Sequence, residues 1–343
     1  MQISRQFGVT TSLLALLATA CIGLSTLSPA ATATAADKIK VRYGLPTAPP
    51  AITTVGVYYA LDNGYFAEQG LDVEVITYPG STTATRALLS GSADIVEVGG
   101  DTAFLARQNG APIKIISAPV AKGTDVMVAG KGITQFSQLT GKTFAITDPG
   151  STGEALGRIV LERYGVNPAS LQFVSISSPA DRIRALFAGQ AQVTAATIVV
   201  LQPVLDAIAK GEATVLTSFA KEFPDIPLAY NITSDAIIAK SPDMLVKFLT
   251  AEIKGYRWAV ANPDKAAAIA IKYVPNTTLE LMITGLKQLA DLKVYGLDGG
   301  ISAEQIQKTQ DALKAIKKLT TVLKPEDVAN ATFVQQAVKA LGG

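Results

Sequence analysis

The sequence predicts an α/β protein whose lobes are mainly parallel sheets flanked by helices. Strand-like and helix-like patterns alternate along most of the chain, a helix-to-strand segment recurs in its second half, and two nearly identical Pro-Gly-Ser-Thr loops each join a strand to a helix. Alternation of this kind is typical of parallel sheets covered by helices. With 343 residues, the chain has room for about two domains.

The first 35 residues have the pattern of an export signal. Arg5 precedes a mostly apolar run from Leu13 to Leu24, and a stretch of small residues follows it. This order is typical of a secretory signal peptide, and we expect cleavage after the Ala-Thr-Ala site at residues 33–35. The apolar run is too short to span a membrane. Cys21 leaves an alternative open, because the Leu-Ala-Thr-Ala that precedes it resembles a lipoprotein box and would imply a lipid anchor.

The first half of the folded part alternates strands and helices, with glycines at the expected helix stops. The predicted strands are Lys38–Leu45, Leu71–Thr77, Asp94–Val98 and Ile113–Pro119. The predicted helices are Ile52–Gln69, a helix from the Pro79 loop to Leu89, and Thr102–Asn109.

The second half repeats this alternation and then becomes helical. The predicted strands are Lys142–Thr147, Leu171–Ile176 and Val193–Thr197. The predicted helices between them run from the Pro149 loop to Tyr164, Pro179–Ala188 and Leu201–Lys210. The later helices are Pro242–Asn262, Pro263–Tyr273, Thr278–Leu289, Ala303–Ile316 and Pro325–Leu341. Proline suits a helix start, because its missing N–H is not needed there.

An internal match indicates two lobes of similar architecture. Residues 86–94 (Arg-Ala-Leu-Leu-Ser-Gly-Ser-Ala-Asp) and 184–192 (Arg-Ala-Leu-Phe-Ala-Gly-Gln-Ala-Gln) share an arginine, a leucine, a glycine and two alanines. Each segment reads as a helix end, a glycine stop and a strand start. Internal similarity of this kind predicts a repeated unit. Chance similarity between two helix-to-strand turns is the alternative.

Composition excludes several classes of chemistry. The chain has no histidine, which excludes a Ser-His-Asp triad, a Cys-His pair and a histidine-ligated zinc. A single cysteine, Cys21, allows neither an intrachain disulfide nor a cysteine zinc cluster. The 30 basic and 28 acidic residues are balanced, and no basic run indicates a nucleic-acid partner. Composition leaves catalysis by lysine, tyrosine or a carboxylate open, but no motif marks a nucleophile or a metal site. We predict no catalytic residue, no metal and no cofactor.

The two Pro-Gly-Ser-Thr loops are the clearest candidate binding features. Residues 76–82 and 146–152 differ only in having Tyr78 where the second segment has Asp148. Glycine lets a ligand approach the backbone, and a helix N-terminus offers free N–H groups. In a parallel sheet such loops lie at the carboxyl ends of strands, where ligands bind. Plain capping of the following helix is the alternative.

Four further residues are candidates for a role in ligand contact or in the hinge. Asp101 follows two glycines between a strand and a helix. If it faces a ligand, it predicts a cationic or hydrogen-bond-donating group there, and if not it complements the helix dipole. Thr197 ends the last strand of the second lobe and could point into a cleft. Lys122 and Asp125 lie between the lobes and read as a solvated hinge.

Residues 58–74 (YYALDNGYFAEQGLDVE) resemble the A-x-x-x-G-F-F-x-x-x-G-L-x-V signature of the nitrate/sulfonate/taurine-type periplasmic binding proteins, also called the thiamine-pyrimidine-synthase-like family. The resemblance continues through residues 87–94, 139–145, 150–152 and 185–190, and covers most of residues 38–275. It implies a type II periplasmic-binding-protein fold with a cleft between two lobes. Lobe 1 would comprise residues 36–122 plus 225–343, and lobe 2 residues 123–224.

The resemblance also implies a function. The chain would capture a small solute in the periplasm by hinge closure and deliver it, as a monomer, to the permease subunits of an ABC importer. The implied ligand-binding residues are Pro46, Thr47, Gly80, Ser81, Asp101, Thr102, Gly150, Ser151, Thr152 and Thr197. Asp101 departs from the small neutral residue expected at its position. It argues against a simple anion such as nitrate and leaves an organic sulfonate, a carboxylate or a heterocycle.

Two other functions are compatible with the same fold. A periplasmic sensor would dock its loaded form on a receptor instead of a permease. An enzyme is the other alternative, but the family's pyrimidine-forming branch relies on histidine and cysteine, and this chain has no histidine.

Overall fold

The computed structural model describes residues 38–147, 149, 152–176, 179–197, 202–224, 226–275, 277–315 and 317–343. The predicted export signal, with Cys21, lies outside them. The strands are β1 (Ile39–Leu45), β2 (Leu71–Thr77), β3 (Ile95–Gly99), β4 (Ile113–Val120), β5 (Val126–Gly130), β6 (Thr143–Ile146), β7 (Gln172–Ser175), β8 (Val193–Ala196), β9 (Ala213–Ser218) and β10 (Ala229–Ser234).

The helices include one of 20 residues in the second half of the chain. They are α1 (Gly56–Asp62), α2 (Tyr65–Glu68), α3 (Ser81–Leu89), α4 (Gly100–Gln108), α5 (Thr152–Arg163), α6 (Pro179–Phe187), α7 (Gln202–Ala209), α8 (Phe219–Glu222), α9 (Asp235–Lys240), α10 (Pro242–Ala261), α11 (Pro263–Ala270), α12 (Leu279–Asp291), α13 (Ala303–Ala315), α14 (Pro325–Val328) and α15 (Thr332–Ala340).

The strands form two sheets with the same pattern. The first has the order β2-β1-β3-β10-β4, and the second β7-β6-β8-β5-β9. In each sheet the fourth strand, β10 or β5, is antiparallel to both neighbours, while the other four strands run in one direction. The predicted α/β class, with mainly parallel sheets flanked by helices, is confirmed.

The internal match falls on equivalent elements of the two sheets. Residues 86–94 lead from α3 into β3, and residues 184–192 lead from α6 into β8; both strands are third in their sheets. The two Pro-Gly-Ser-Thr loops, in contrast, follow β2 at a sheet edge and β6 one strand further in. Those loops therefore do not occupy equivalent positions of one repeat.

The chain crosses between the sheets twice. Residues 121–125 lead from β4 to β5, and residues 219–228 lead from β9 back to β10. Because β10 inserts between β3 and β4, the first sheet is built from two separate stretches of sequence. The lobe boundaries at residues 122 and 225 stay a prediction.

Two predicted helices are wrong in detail because each is broken. The helix predicted at Ile52–Gln69 divides into α1 and α2 at Gly64, whose φ of 75° favours glycine. The helix predicted at Pro325–Leu341 divides into α14 and α15. Between them the N–H of Asn330 donates to the carbonyl of Ile115, which draws the chain onto β4. Strands β5, β9 and β10 were not predicted.

The long helix α10 packs against α1 at very close range. A Cβ atom added at Gly255 would lie 2.8 Å from the backbone nitrogen of Ala60, and one at Gly56 would lie 2.1 Å from the ring of Tyr256. Each helix thus offers a glycine where the other approaches. None of the described helices combines the length and apolar character needed to cross a bilayer.

A polar cluster lies in the core of the first sheet. Glu97, Asn231, Tyr43, Glu252 and Ser117 are all at most 2% exposed. The Nδ2 atom of Asn231 donates to both carboxylate oxygens of Glu252, at 3.1 and 2.9 Å, and to the Ser117 hydroxyl at 3.0 Å. Burial raises the pKa of Glu97 to about 8 and that of Glu252 to about 7.

Candidate ligand-binding cleft

The loop after β2 is tied to the loop after β3. Gly80 has φ 119° and ψ 161°, a conformation that favours glycine, and it stands immediately before α3. The hydroxyl of Ser81 does not cap its own helix; it accepts a hydrogen bond from the N–H of Gly99 at 3.0 Å. Simple capping is therefore not the role of Ser81. Its hydroxyl holds two strand-end loops together.

Asp101 lies in the first turn of α4. Its Oδ1 accepts a hydrogen bond from the N–H of Thr102 at 2.9 Å, and its Oδ2 lies 3.9 Å from Nζ of Lys318. Both charged side chains are 23% exposed. The carboxylate thus complements the helix N-terminus and also faces a cavity, so the two interpretations of this residue are compatible.

This cavity, here called the cleft cavity, has a volume of about 140 Å³ and lies where elements of both sheets meet. Among its described lining residues, Asp101 is the sole ionisable side chain. The hydroxyl of Thr309 also lines it but donates to the carbonyl of Gln305. The lining residues are Gly99, Gly100, Asp101, Gly123, Leu156, Phe219, Phe223, Ile226, Pro227, Leu228, Thr309 and Leu313.

Two phenylalanines form the apolar wall on the side of the second sheet. The rings of Phe219 and Phe223 meet edge to face, with centroids 5.9 Å apart. A Cβ atom at Gly123 would lie only 3.1 Å from Cβ of Phe219, so the first crossover packs closely against the start of α8. The sequence analysis missed this wall. The available signal was two aromatic residues four positions apart, immediately after a β-like run.

The other predicted residues of the first sheet lie elsewhere. The Thr47 hydroxyl lies 2.8 Å from the Thr54 hydroxyl, and this bond shapes the loop after β1. Thr102 lines a separate groove between α3 and α4, together with Thr85. The described residues that line the cleft cavity do not include Pro46, Thr47, Gly80, Ser81 or Thr102, so ligand contact by these five stays a prediction.

Thr197 forms hydrogen bonds with the crossover that leads from β4 to β5. Its hydroxyl donates to Oδ1 of Asp125 at 2.6 Å and lies 2.8 Å from the Thr124 hydroxyl. Burial raises the pKa of Asp125, while the bond from Thr197 and the charge of Arg182 act in the opposite direction. The prediction of a solvated hinge is wrong for Asp125, since its carboxylate is bonded within the protein. Direct ligand contact by Thr197 stays a prediction.

A buried arginine holds the strand ends of the second sheet. Arg182 on α6 is 4% exposed, and its guanidinium donates to the carbonyls of Ile176 and Ala195, at 3.0 and 3.3 Å. Ile176 comes directly after β7, and Ala195 lies near the end of β8. Arg182 therefore links the carboxyl ends of these two strands. The sequence analysis did not single it out, because one arginine in an amphipathic helix carries no distinguishing pattern.

The second Pro-Gly-Ser-Thr loop cannot be placed in the same way. Gly150 and Ser151 lie outside the described residues, and of Thr152 the structure describes the backbone as the start of α5. Their ligand contacts stay predictions. Among the described residues, no three carboxylate, histidine or cysteine side chains cluster as a metal site would require.

The fold and the comparisons together define the class of protein. The solved structure of the periplasmic nitrate-binding protein NrtA from Synechocystis superposes with a TM-score of 0.70 at 16% identity, covering 89% of each chain. This chain therefore has the periplasmic-binding-protein fold, as the resemblance implied.

The family is shown by a sequence match over more than half of the chain. Residues 52–266 match the family model described as NMT1/THI5 like, and the chain belongs to that family. The riboflavin-binding protein RibY of Chloroflexus aurantiacus is 26% identical over 288 residues, 78% of each chain. The formylaminopyrimidine-binding protein of Halalkalibacterium halodurans is 25% identical over 233 residues, which are 65% of this chain and 67% of the relative.

Proposed function

We propose that this chain is the periplasmic solute-binding component of an ABC importer. It captures a small organic solute between the two sheets, closes around it by movement at the two crossovers, and delivers it to the membrane permease. The observation that carries the proposal is the cleft cavity, which meets the strand-end loop of β3 and both crossovers. The names of the family relatives, binding proteins for riboflavin and formylaminopyrimidine, support it.

The lining of the cleft cavity favours a heterocyclic solute over a simple anion. An apolar wall gains from burying a flat ring, and a carboxylate gains from an N–H or O–H donor on that ring. Nitrate would place a second negative charge against Asp101 without an apolar surface to bury. An organic sulfonate or carboxylate fits only if its charged end turns away from Asp101 towards a helix N-terminus.

Thermal unfolding with a panel of solutes tests this proposal. The mature protein, residues 36–343, would be heated with riboflavin, an aminopyrimidine, taurine, an arylsulfonate, benzoate and nitrate. A ligand at 100 times its Kd adds about 2.7 kcal/mol of stability, which for a chain of this size raises the melting temperature by roughly 4 °C. A saturable shift with one organic class supports the proposal. No shift, together with no molecule released from the denatured protein by mass spectrometry, would contradict it.

A variant of Asp101 and a matched control variant test the role of this carboxylate in solute binding. Asp101→Asn removes the charge that accepts the solute's donor, and should weaken binding of a donor-bearing solute by about 1.5–3 kcal/mol, or tenfold or more. Asp243→Asn makes the same change in the first turn of α10, at an exposed position away from the cleft cavity. It should leave binding unchanged. Equal effects of the two variants would remove Asp101 from the site.

We also propose that the protein is exported and binds without converting its ligand. The export pattern of residues 1–35 supports the first part, and the absence of histidine supports the second. The intact mass of the periplasmic protein should correspond to a start at Ala36. A lipid-modified start at Cys21 would contradict the cleavage site. The same measurement under native conditions should show a monomer and an unaltered ligand.

A further inference from the structure

A second cavity lies on the other side of the two crossovers. It has a volume of about 860 Å³. Lys122 and Pro224 line it, whereas their chain neighbours Gly123 and Phe223 line the cleft cavity. The crossovers therefore form a common wall between the two cavities.

The apolar part of the second cavity is held firmly in place. Val260 of α10, Ala290 of α12 and Val294 contribute to it. The loop after α12 is bonded to the end of β4. The N–H of Ala121 donates to the carbonyl of Val294 at 2.7 Å, and the N–H of Gly296 donates to the carbonyl of Pro119 at 3.1 Å. The wall is therefore formed before any ligand arrives.

The charge of the second cavity is predominantly positive. Lys122, Arg257 and Lys293 line it, and among the described residues no carboxylate forms an ion pair with any of the three. Nε of Arg257 donates to the carbonyl of Leu297 at 2.9 Å, which holds the guanidinium at the wall. Among the described lining residues, the negatively charged side chain is Asp298, whose carboxylate accepts from the N–H of Gly300.

We propose that the second cavity is a binding site for an organic anion with an apolar body, such as a hydrophobic carboxylate or sulfonate. Its apolar wall buries the body, and Lys122 of the first crossover and Lys293 of the loop after α12 receive the charge. An anion seated there contacts Lys122, one residue from Gly123 of the cleft wall. The site stands apart from the proposed solute, since none of its lining residues lines the cleft cavity.

A pair of fluorescent probes tests the site. 8-Anilinonaphthalene-1-sulfonate carries an aromatic body and a sulfonate, and N-phenyl-1-naphthylamine has the same rings without the charge. In Lys122→Met/Lys293→Met the long apolar stems remain and two charges are lost. We expect the sulfonate probe to bind this double variant about tenfold more weakly than the wild type, with the neutral probe unaffected.

Two controls identify the cavity that is occupied. Lys240→Met/Lys339→Met removes the same charge at two exposed positions outside the second cavity and should leave binding of both probes unchanged. Ala290→Leu narrows the second cavity and should weaken both probes. The proposal fails if the Lys122/Lys293 variant binds the sulfonate as the Lys240/Lys339 control does. It also fails if Asp101→Asn in the cleft cavity changes sulfonate binding more than the cavity variants do. Circular dichroism confirms that each variant is folded.

Discussion

Replacing Glu97 by glutamine should remove much of the pH dependence of this protein's stability. The side chain is 1% exposed in β3, and its Oε1 has no hydrogen-bond partner among the described residues. The Asn231 amide donates to Glu252 instead, and the Tyr43 hydroxyl lies 2.9 Å from Oδ1 of Asn231 but 3.4 Å from Glu97. Because Glu252 receives the donors, Glu97 is the carboxyl that keeps a proton in the folded protein.

The proton retained by Glu97 determines the sign and size of the pH dependence of the unfolding free energy. Burial raises the pKa of Glu97 to about 8, so above the ordinary glutamate pKa of 4.5 the unfolded chain loses a proton that the folded protein retains. The free energy of unfolding then falls by about 1.4 kcal/mol per pH unit for each such carboxyl. The fall from Glu97 continues to about pH 8, and that from Glu252 to about pH 7.

Two other carboxyls, those of Asp125 and Glu222, also have shifted pKa values in the folded protein. Burial raises the pKa of Asp125, so it adds to the same fall. For Glu222, burial is outweighed by hydrogen bonds from Thr217, Arg163 and Tyr164, which lower its pKa. Glu222 therefore stabilises the fold above the ordinary glutamate pKa and loses that effect only in more acidic solution, below the range of the experiment.

Urea unfolding from about pH 5 to about pH 8 measures the effect. Glu97→Gln keeps the size of the side chain and cannot ionise, so the slope of unfolding free energy against pH should become shallower by about 1.4 kcal/mol per unit. Glu280→Gln, an exposed glutamate in the first turn of α12, should keep the wild-type slope. If Glu97→Gln and the wild type have the same slope, Glu97 is not protonated in the fold and the reasoning is refuted.

Three further substitutions test packing and the crossover. Gly255→Ala should lower the free energy of unfolding by about 1–3 kcal/mol, because the new Cβ meets the backbone of Ala60. Gly153→Ala, in α5 with no atom within 4 Å, should raise it by about 0.5–1 kcal/mol; equal urea midpoints would contradict both expectations. Thr197→Val should cost about 1–3 kcal/mol by leaving Asp125 without its donor, and Thr197→Ser should restore most of this. Equal losses in the two Thr197 variants would show that the hydroxyl is unimportant.

The elements that the sequence predicts well are those defined by local pattern. Strands such as β2 alternate in polarity, and helices such as α10 carry apolar residues at helical spacing with proline at the start. The failures have local causes too. Apolar spacing continues across Gly64, so the pattern predicts one helix where a left-handed glycine makes two.

The antiparallel strands escaped prediction because long-range pairing defines them. β10 buries Asn231 and Thr233, polar residues that interrupt the expected alternation of a strand. Hydrogen bonds explain why polar residues stand at these buried positions. The Asn231 amide donates to the carboxylate of Glu252, and the Thr233 hydroxyl donates to the carbonyl of Asp94 at 2.7 Å. A buried polar residue is acceptable where a partner from a distant segment satisfies it, and one sequence does not reveal that partner.

The difference between local pattern and long-range packing also separates the parts of the proposed site that the sequence predicts from the parts that it does not. Glycine-rich strand ends are visible in sequence, because the backbone conformation at Gly80 and the close packing of Gly100 against Tyr230 restrict the residue type. The apolar wall is not visible, because Phe219 has the same character as any core phenylalanine. Its role follows from the crossover that brings it beside Gly123, where a larger residue would meet Cβ of Phe219. We therefore expect the selectivity of the proposed solute site to depend on apolar residues placed by the two crossovers as much as on the polar loops.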